Sequence, residues 1–251
     1  MSEQDIVQYL SSRRFTVLFS GGKDSLATLL WVLNNIKHTR YNIVYVEIPG
    51  NTHPECTRYV MQVCKDLGVY HKLIIARRND LDFFDCLERW GIPLYGVYRW
   101  CMHQFKRKVV ETQTYFVQVS GIRIADSHFR VKRQPIEYFK MSRSIGVFPL
   151  LFWSTKEVLE YIKANDIQLN PCYARYGHSG NCMFCPYHNK KQIILTMQDP
   201  EWRHKILTAL YKQRPKGNIR KKILARWLKY SRYTTLSCSH FSEKCKGDAD
   251  G

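Results

Sequence analysis

Six residues, Ser20-Gly21-Gly22-Lys23-Asp24-Ser25, have the types and spacing to hold an anion. Adjacent glycines let a backbone approach a ligand closely. A helix starting just after them presents unpaired N–H groups and the positive end of its dipole. Lys23 adds a full charge, and Ser20 and Ser25 add hydroxyl donors. Together they make a phosphate cradle. The spacing is not the Gly-x-x-x-x-Gly-Lys-Ser/Thr of a Walker loop. A second chemical group is Cys182-Met-Phe-Cys185, approached through Gly177-His-Ser-Gly-Asn181. A Cys-x-x-Cys pair holds a metal, holds a cluster or does redox chemistry.

The elements that must position these groups follow from the apolar pattern. Phe15–Phe19 is a continuous apolar run, as in a strand buried on both faces. Residues 26–36 place Leu26, Leu29, Leu30 and Leu33 on one helical face. Strands are predicted over 42–47, 70–76 and 115–120, and helices over 55–67, 80–90, 103–111 and 155–165, the last capped by Ser154. Strands alternating with helices predict an α/β fold, a doubly wound parallel sheet. Ligands of such sheets gather at the carboxyl ends of the strands, where residues 20–25, 48–56 and 121–130 lie. Residues 170–188 read as irregular, and the remainder of the chain as helical and basic. The expected organisation is a nucleotide-binding domain over 1–165 and a cysteine-containing, basic helical region over 166–251 packed on it.

Ser20–Ser25 after an apolar strand resembles the PP-loop of the adenine nucleotide α-hydrolase superfamily. Val46–Thr57 is similar to the second-strand motif of its PAPS reductase-like group. Gly121-Ile-Arg-Ile-Ala-Asp-Ser-His-Phe-Arg130 resembles that group's Gly-x-Arg-x-x-Glu-Ser-x-x-Arg, with Asp126 in place of Glu. Phe148–Val158 and Asn170-Pro-Cys-Tyr173 match two further segments, with Cys172 where Leu is usual. The resemblance covers residues 13 to 190. It implies that Ser20, Gly21, Gly22, Lys23, Asp24, Ser25, Gly121 and Arg123 bind ATP or an adenylyl sulfate, with Mg²⁺. Lys23, Asp24 and Arg123 are the implied catalytic residues.

Iron–sulfur members of the group carry a Cys-Cys pair well upstream of Cys-x-x-Cys. Here Cys101 holds the first place, Met102 the second, and eighty residues, 102 to 181, separate Cys101 from Cys182. Cys101, Cys182 and Cys185 give three of the four thiolates of a usual [4Fe–4S] cluster. Either Cys172 completes the set, or one iron stays open to a sulfide. Tetrahedral zinc is the alternative occupant.

The chain of 251 residues carries 39 Lys and Arg against 21 Asp and Glu, a net charge of +18. Such an excess suits a polyanion. Residues 203–233 hold 11 of the cations and no acid. Residues 219–229 place Ile219, Ile223, Leu224, Trp227 and Leu228 on one helical face, expected to dock and leave the cations outward. Arg99, Lys106, Arg107, Lys108, Arg130, Lys132 and Arg133 extend this basic surface toward the cleft. No apolar run reaches the ~20 residues that span a bilayer, and no signal peptide begins the sequence, so a cytoplasmic protein without membrane contact is expected. The expected function is an ATP pyrophosphatase that adenylates DNA or tRNA for sulfur insertion, with a cysteine desulfurase or other sulfur donor. The alternative is an APS or PAPS reductase. Its C-terminal catalytic Cys is matched only loosely by Glu243-Lys-Cys245, and Cys238 is no better placed. A non-enzymatic nucleotide-binding subunit is the third option.

Overall fold

The computed structural model describes residues 2–37, 39–94, 98–127, 130–140 and 142–233. The four predicted strands form as β1 (Phe15–Leu18), β2 (Tyr41–Val46), β3 (Leu73–Ala76) and β4 (Val117–Val119). Three are shorter than the apolar pattern suggested, β1 by one residue and β3 and β4 by three. Tyr70–Lys72 turns as a 3₁₀ segment before β3. The Tyr115 amide donates to Thr16 Oγ1 at 2.9 Å instead of joining the ladder. Two strands were not foreseen: β5 (Ile136–Phe139) and β6 (Ser144–Val147) form an antiparallel hairpin.

The sheet order is β3-β2-β1-β4-β6-β5, parallel except for edge strand β5. Strand β1 therefore has β2 on one side and β4 on the other, with the crossovers leaving in opposite directions. That reversal opens a crevice at the carboxyl ends of β1 and β4, the usual ligand site of such sheets.

Helix α1 (Glu3–Ser11) was also not foreseen; a Ser2–Asp5 capping box starts it, and Ile6 and Leu10 bury its apolar side. Helix α2 (Lys23–Asn35) begins directly at the glycines, three residues before the leucine pattern. It packs against α6 (Thr155–Ala164), which Ser154 and Glu157 cap. Helices α3 (Pro54–Asp66) and α4 (Phe83–Trp90) follow β2 and β3. Residues Met102–Arg107 wind as a π-helix before the short α5 (Lys108–Glu111), where an α-helix over 103–111 was predicted. Such π segments concentrate at functional sites. Beyond α6 lie α7 (Cys172–Tyr176), α8 (Lys190–Gln198), α9 (Pro200–Tyr211) and α10 (Asn218–Tyr230).

One hydrophobic core runs from Ile6 to Trp227, so α8, α9 and α10 share it with the sheet. On the other face Val44, Ala76 and Val109 form a small cluster under α5. The sheet is thus covered on both faces, but thinly on this one. Helix α10 docks through Ile223 and Trp227, whereas Ile219 is 62% exposed. The docking face therefore begins one turn later than the sequence pattern placed it. No described helix is long and apolar enough to cross a membrane.

Candidate active site

The glycine loop is held from within and from behind. Gly21 has φ 74°, a conformation open to glycine at little cost. A Cβ there would lie 3.0 Å from both Cys56 Sγ and Val60. The Ser25 hydroxyl accepts from the Ser20 amide at 3.1 Å and donates to the Gly22 carbonyl at 2.9 Å, closing the turn. The Asn170 amide donates to the Gly21 carbonyl at 3.0 Å and to the Ser179 carbonyl at 2.9 Å. Tyr173 accepts from the Lys23 amide at 3.0 Å. Asn170 and Tyr173 thus connect the loop to the cysteine-containing region.

Lys23 pairs with Asp24 at 2.7 Å, and Arg123 Nε lies 2.8 Å from Asp24 Oδ1, off the line of a hydrogen bond. Arg123 is only 1% exposed. Its other nitrogens donate to Asp126 at 2.7 Å, the Trp153 carbonyl at 3.0 Å and Thr155 at 3.3 Å. It therefore fixes Asp24 from behind rather than facing the crevice. Gly121 approaches from β4: a Cβ on it would stand 2.6 Å from the Asp24 carbonyl carbon and oxygen.

The crevice has a volume of about 620 Å³. Ser20, Gly22, Asp24, Ser25 and Gly121 form its loop end, and Leu18, Val44, Val46 and Val110 its apolar wall. Lys106, Arg107 and Arg130 bring positive charge, as the basic surface read from sequence anticipated. Asp24, Asp126 and Glu111 are the lining carboxylates available to Mg²⁺. Met102 and Asn181, next to Cys101 and Cys182, line the same crevice.

The Cys-x-x-Cys segment is framed by the loop after β2. The buried Asn51 accepts from the Phe184 amide at 2.7 Å and donates to the Phe184 carbonyl at 3.0 Å. Its own carbonyl accepts from the Met183 amide at 2.8 Å. Thr52 donates to the Asn181 carbonyl at 2.9 Å, and Asn181 donates to the Val46 carbonyl at 2.9 Å. Both residues between the cysteines are thereby held to a motif more than a hundred residues away.

Cys101, Cys182 and Cys185 are half-buried and lie in one electrostatic neighbourhood. Burial, then the Cys182 thiol, pushes Cys101 up, against the pull of Arg99 and Lys106. Burial and Cys182 push Cys185 up in the same way, while the Tyr187 amide donates to it. Arg99 Nε and His103 Nδ1 are buried beside these thiols without hydrogen-bond partners. Three thiols in one neighbourhood are the donor type of an iron–sulfur cluster, while their sulfurs are not all within the 4.8 Å that a single zinc ion would require. Cys172 has different company. It is buried, its Sγ lies 3.8 Å from Glu55 Oε2, and burial, Cys56 and Glu55 push it up to about 12. Among the described residues it is Cys172, with His53 and Glu55, whose ligand atoms all lie within 4.8 Å of one another; the sulfurs of Cys101, Cys182 and Cys185 do not form such a set. Cys56 sits under the loop, its thiol 3.7 Å from the Ser20 carbonyl, and Cys64 and Cys86 are buried packing residues. Cys238 and Cys245 lie outside the described residues.

His178 and His188, near the Cys-x-x-Cys segment, pack on each other at 4.3 Å. His178 accepts from the Gly180 amide and bonds Thr196. Burial lowers His178 to about 4.

The sequence profile of the phosphoadenosine phosphosulfate reductase domain matches residues 14–244. The chain belongs to this family. Among curated proteins, this reductase-domain chain is 28% identical over 179 residues to uncharacterized protein MJ0066 of Methanocaldococcus jannaschii. It is 26% identical over 175 residues to uncharacterized protein MJ0973 of the same organism. These matches take in 68% and 67% of the chain but only 35% and 40% of the relatives, so the chain spans well under half their length. Among solved structures, a PAPS reductase from Candida auris in a phosphate complex aligns with TM-score 0.49 and 16% identity, over 69% of this chain and 84% of that one. The U34-tRNA thiolase NcsA from Methanococcus maripaludis, with its [4Fe-4S] cluster, aligns with TM-score 0.45 and 16% identity, over 97% of this chain and 80% of that one.

Asn51, Asn170, Tyr173 and Asn181 were not singled out as site residues from sequence. All four lie in quoted motifs, but a buried side chain's partners are not visible until the chain folds.

Proposed function

We propose that the chain is an ATP pyrophosphatase that adenylates a nucleic acid for sulfur insertion, of the tRNA-thiolation or DNA-phosphorothioation type. One observation carries the proposal: the phosphate loop and the residues adjoining two of the three grouped thiols line one crevice. An oxygen of the substrate would attack the α-phosphorus of ATP and pyrophosphate would leave. A sulfur nucleophile would then displace AMP from the adenylated atom. The first turn of α2, which begins at Lys23 directly after the glycines, would meet the charge that develops on the phosphates, with Lys23 adding its own. Asp24, held by Arg123, would orient Lys23 and take part in holding Mg²⁺. Cys101, Cys182 and Cys185 would hold a [4Fe–4S] cluster; when bound, the cluster supplies an iron site for sulfide. Sulfur would come from a cysteine desulfurase or another donor. The site of action would be the cytoplasm.

The family match supports a second reading, reduction of an adenylyl sulfate to sulfite. Purified anaerobically and assayed side by side, the protein should release pyrophosphate from ATP and form no sulfite from APS or PAPS with thioredoxin. Sulfite formation that vanishes in Cys245→Ser would establish the reductase instead.

A further inference from the structure

Cations and aromatic rings alternate along one surface that begins at the grouped thiols. The Arg99 side chain hydrogen-bonds the Cys101 thiol, and its guanidinium lies 5.4 Å from the Tyr187 ring centre. Tyr187 is 48% exposed, and its amide donates to Cys185. The neighbouring Pro186 carbonyl accepts from Arg226 of α10. Lys190 and Lys229 then lie 6.0 and 5.9 Å from the Tyr230 ring, which contacts Tyr233 at 6.1 Å.

A duplex buries its base faces and offers only phosphates to such a surface. An unpaired strand offers both phosphates and rings, and each base has a face that stacks on an aromatic side chain. Lysines and arginines between the rings match the phosphate between successive bases. We infer that Arg99, Tyr187, Arg226, Lys190, Lys229 and Tyr230 form a stacking platform for an unpaired polynucleotide strand. The inference rests on the nucleic-acid partner proposed above and deepens it: the strand would arrive single-stranded, with a base on Tyr187 at the edge of the thiol group. This favours a base in a loop over the backbone of an intact duplex as the site of modification.

Binding tests this without ATP, so a failure of the ATP chemistry leaves the outcome readable. Labelled RNA and DNA strands of about 20 nucleotides, longer than a typical single-strand site, and the corresponding duplexes are titrated with the full-length, anaerobically purified protein and followed by anisotropy. Either single strand should bind more tightly than its duplex. Tyr187→Ala should weaken single-strand binding about tenfold or more with an unchanged salt slope, and Tyr187→Phe should restore it. Lys229→Gln should lower the salt slope by about one. Far-UV circular dichroism of each variant checks folding. Equal affinity for duplex and single strand, or no effect of Tyr187→Ala in a folded variant, overturns the platform while leaving a nucleic-acid partner standing. No binding of any polynucleotide at low salt overturns both.

Discussion

At the scale of single residues, the site depends on atoms that cannot be moved or enlarged. Gly121 leaves room for the carbonyl of Asp24 and nothing more: a methyl group there would collide at 2.6 Å with backbone that cannot swing aside. Gly121→Ala is expected to cost about 1–3 kcal/mol of stability and to weaken ATP binding, read by denaturant unfolding and by titration. Lys23 is the only lysine in the loop and pairs with Asp24 at 2.7 Å. Lys23→Ala should lower pyrophosphate release by about 100-fold with the fold intact, because the side chain is partly exposed and its ion pair adds little stability. A loss as large in thermal midpoint would show a structural role instead. Arg123 acts through Asp24: Arg123→Leu leaves two carboxylates, Asp24 and Asp126, without their buried cation.

At the scale of elements, the turn after β2 and the Cys-x-x-Cys segment are one unit. Asn51 satisfies both backbone groups of Phe184 in a buried place. In Asn51→Ala these groups lose their partner, at about 1–3 kcal/mol each. The variant should retain less iron per chain after anaerobic purification than the wild type, and melt at lower temperature. Unchanged iron content would mean that the cysteines hold their geometry without the clamp. The π-helix is a second unit of this kind. Cys101 caps its start and Lys106 and Arg107 line the crevice from its end, so one short element serves both chemical groups.

At the scale of the whole molecule, the C-terminal helices are part of the same core as the sheet, through residues such as Phe184 and Trp227, whose rings lie 4.7 Å apart. The buried His178 makes their packing sensitive to acid. Its folded value of about 4 lies below the ordinary 6.5, so the unfolded chain binds the proton first. Stability from this group is present above pH about 6.5 and is lost as the pH falls toward 4, by at most about 3 kcal/mol. Urea midpoints measured between pH 7 and pH 5 should fall, and His178→Asn should flatten that dependence. A wild-type slope unchanged in the variant would assign the acid sensitivity to other groups.

The parallel strands and the glycine turn between β1 and α2 were legible in the sequence because each rests on local pattern, apolar runs and adjacent glycines, whereas the choice of Cys101 beside Cys182 and Cys185 came from the family resemblance. The charge excess was legible too, as a sum over residues. The hairpin of β5 and β6 was not, since Ile136–Phe139 includes Glu137 and its strand state comes from pairing with β6. Nor did spacing reveal that Arg123 is buried behind Asp24, or that Cys172 faces Glu55. Sequence distance sets which residue types are available, and only the packing of distant segments decides which atoms meet. The sheet order β3-β2-β1-β4-β6-β5 is what brings Ser20, Asp24 and Ser25, Met102, Lys106 and Arg107, Gly121 and Asp126, and Asn181 around one crevice.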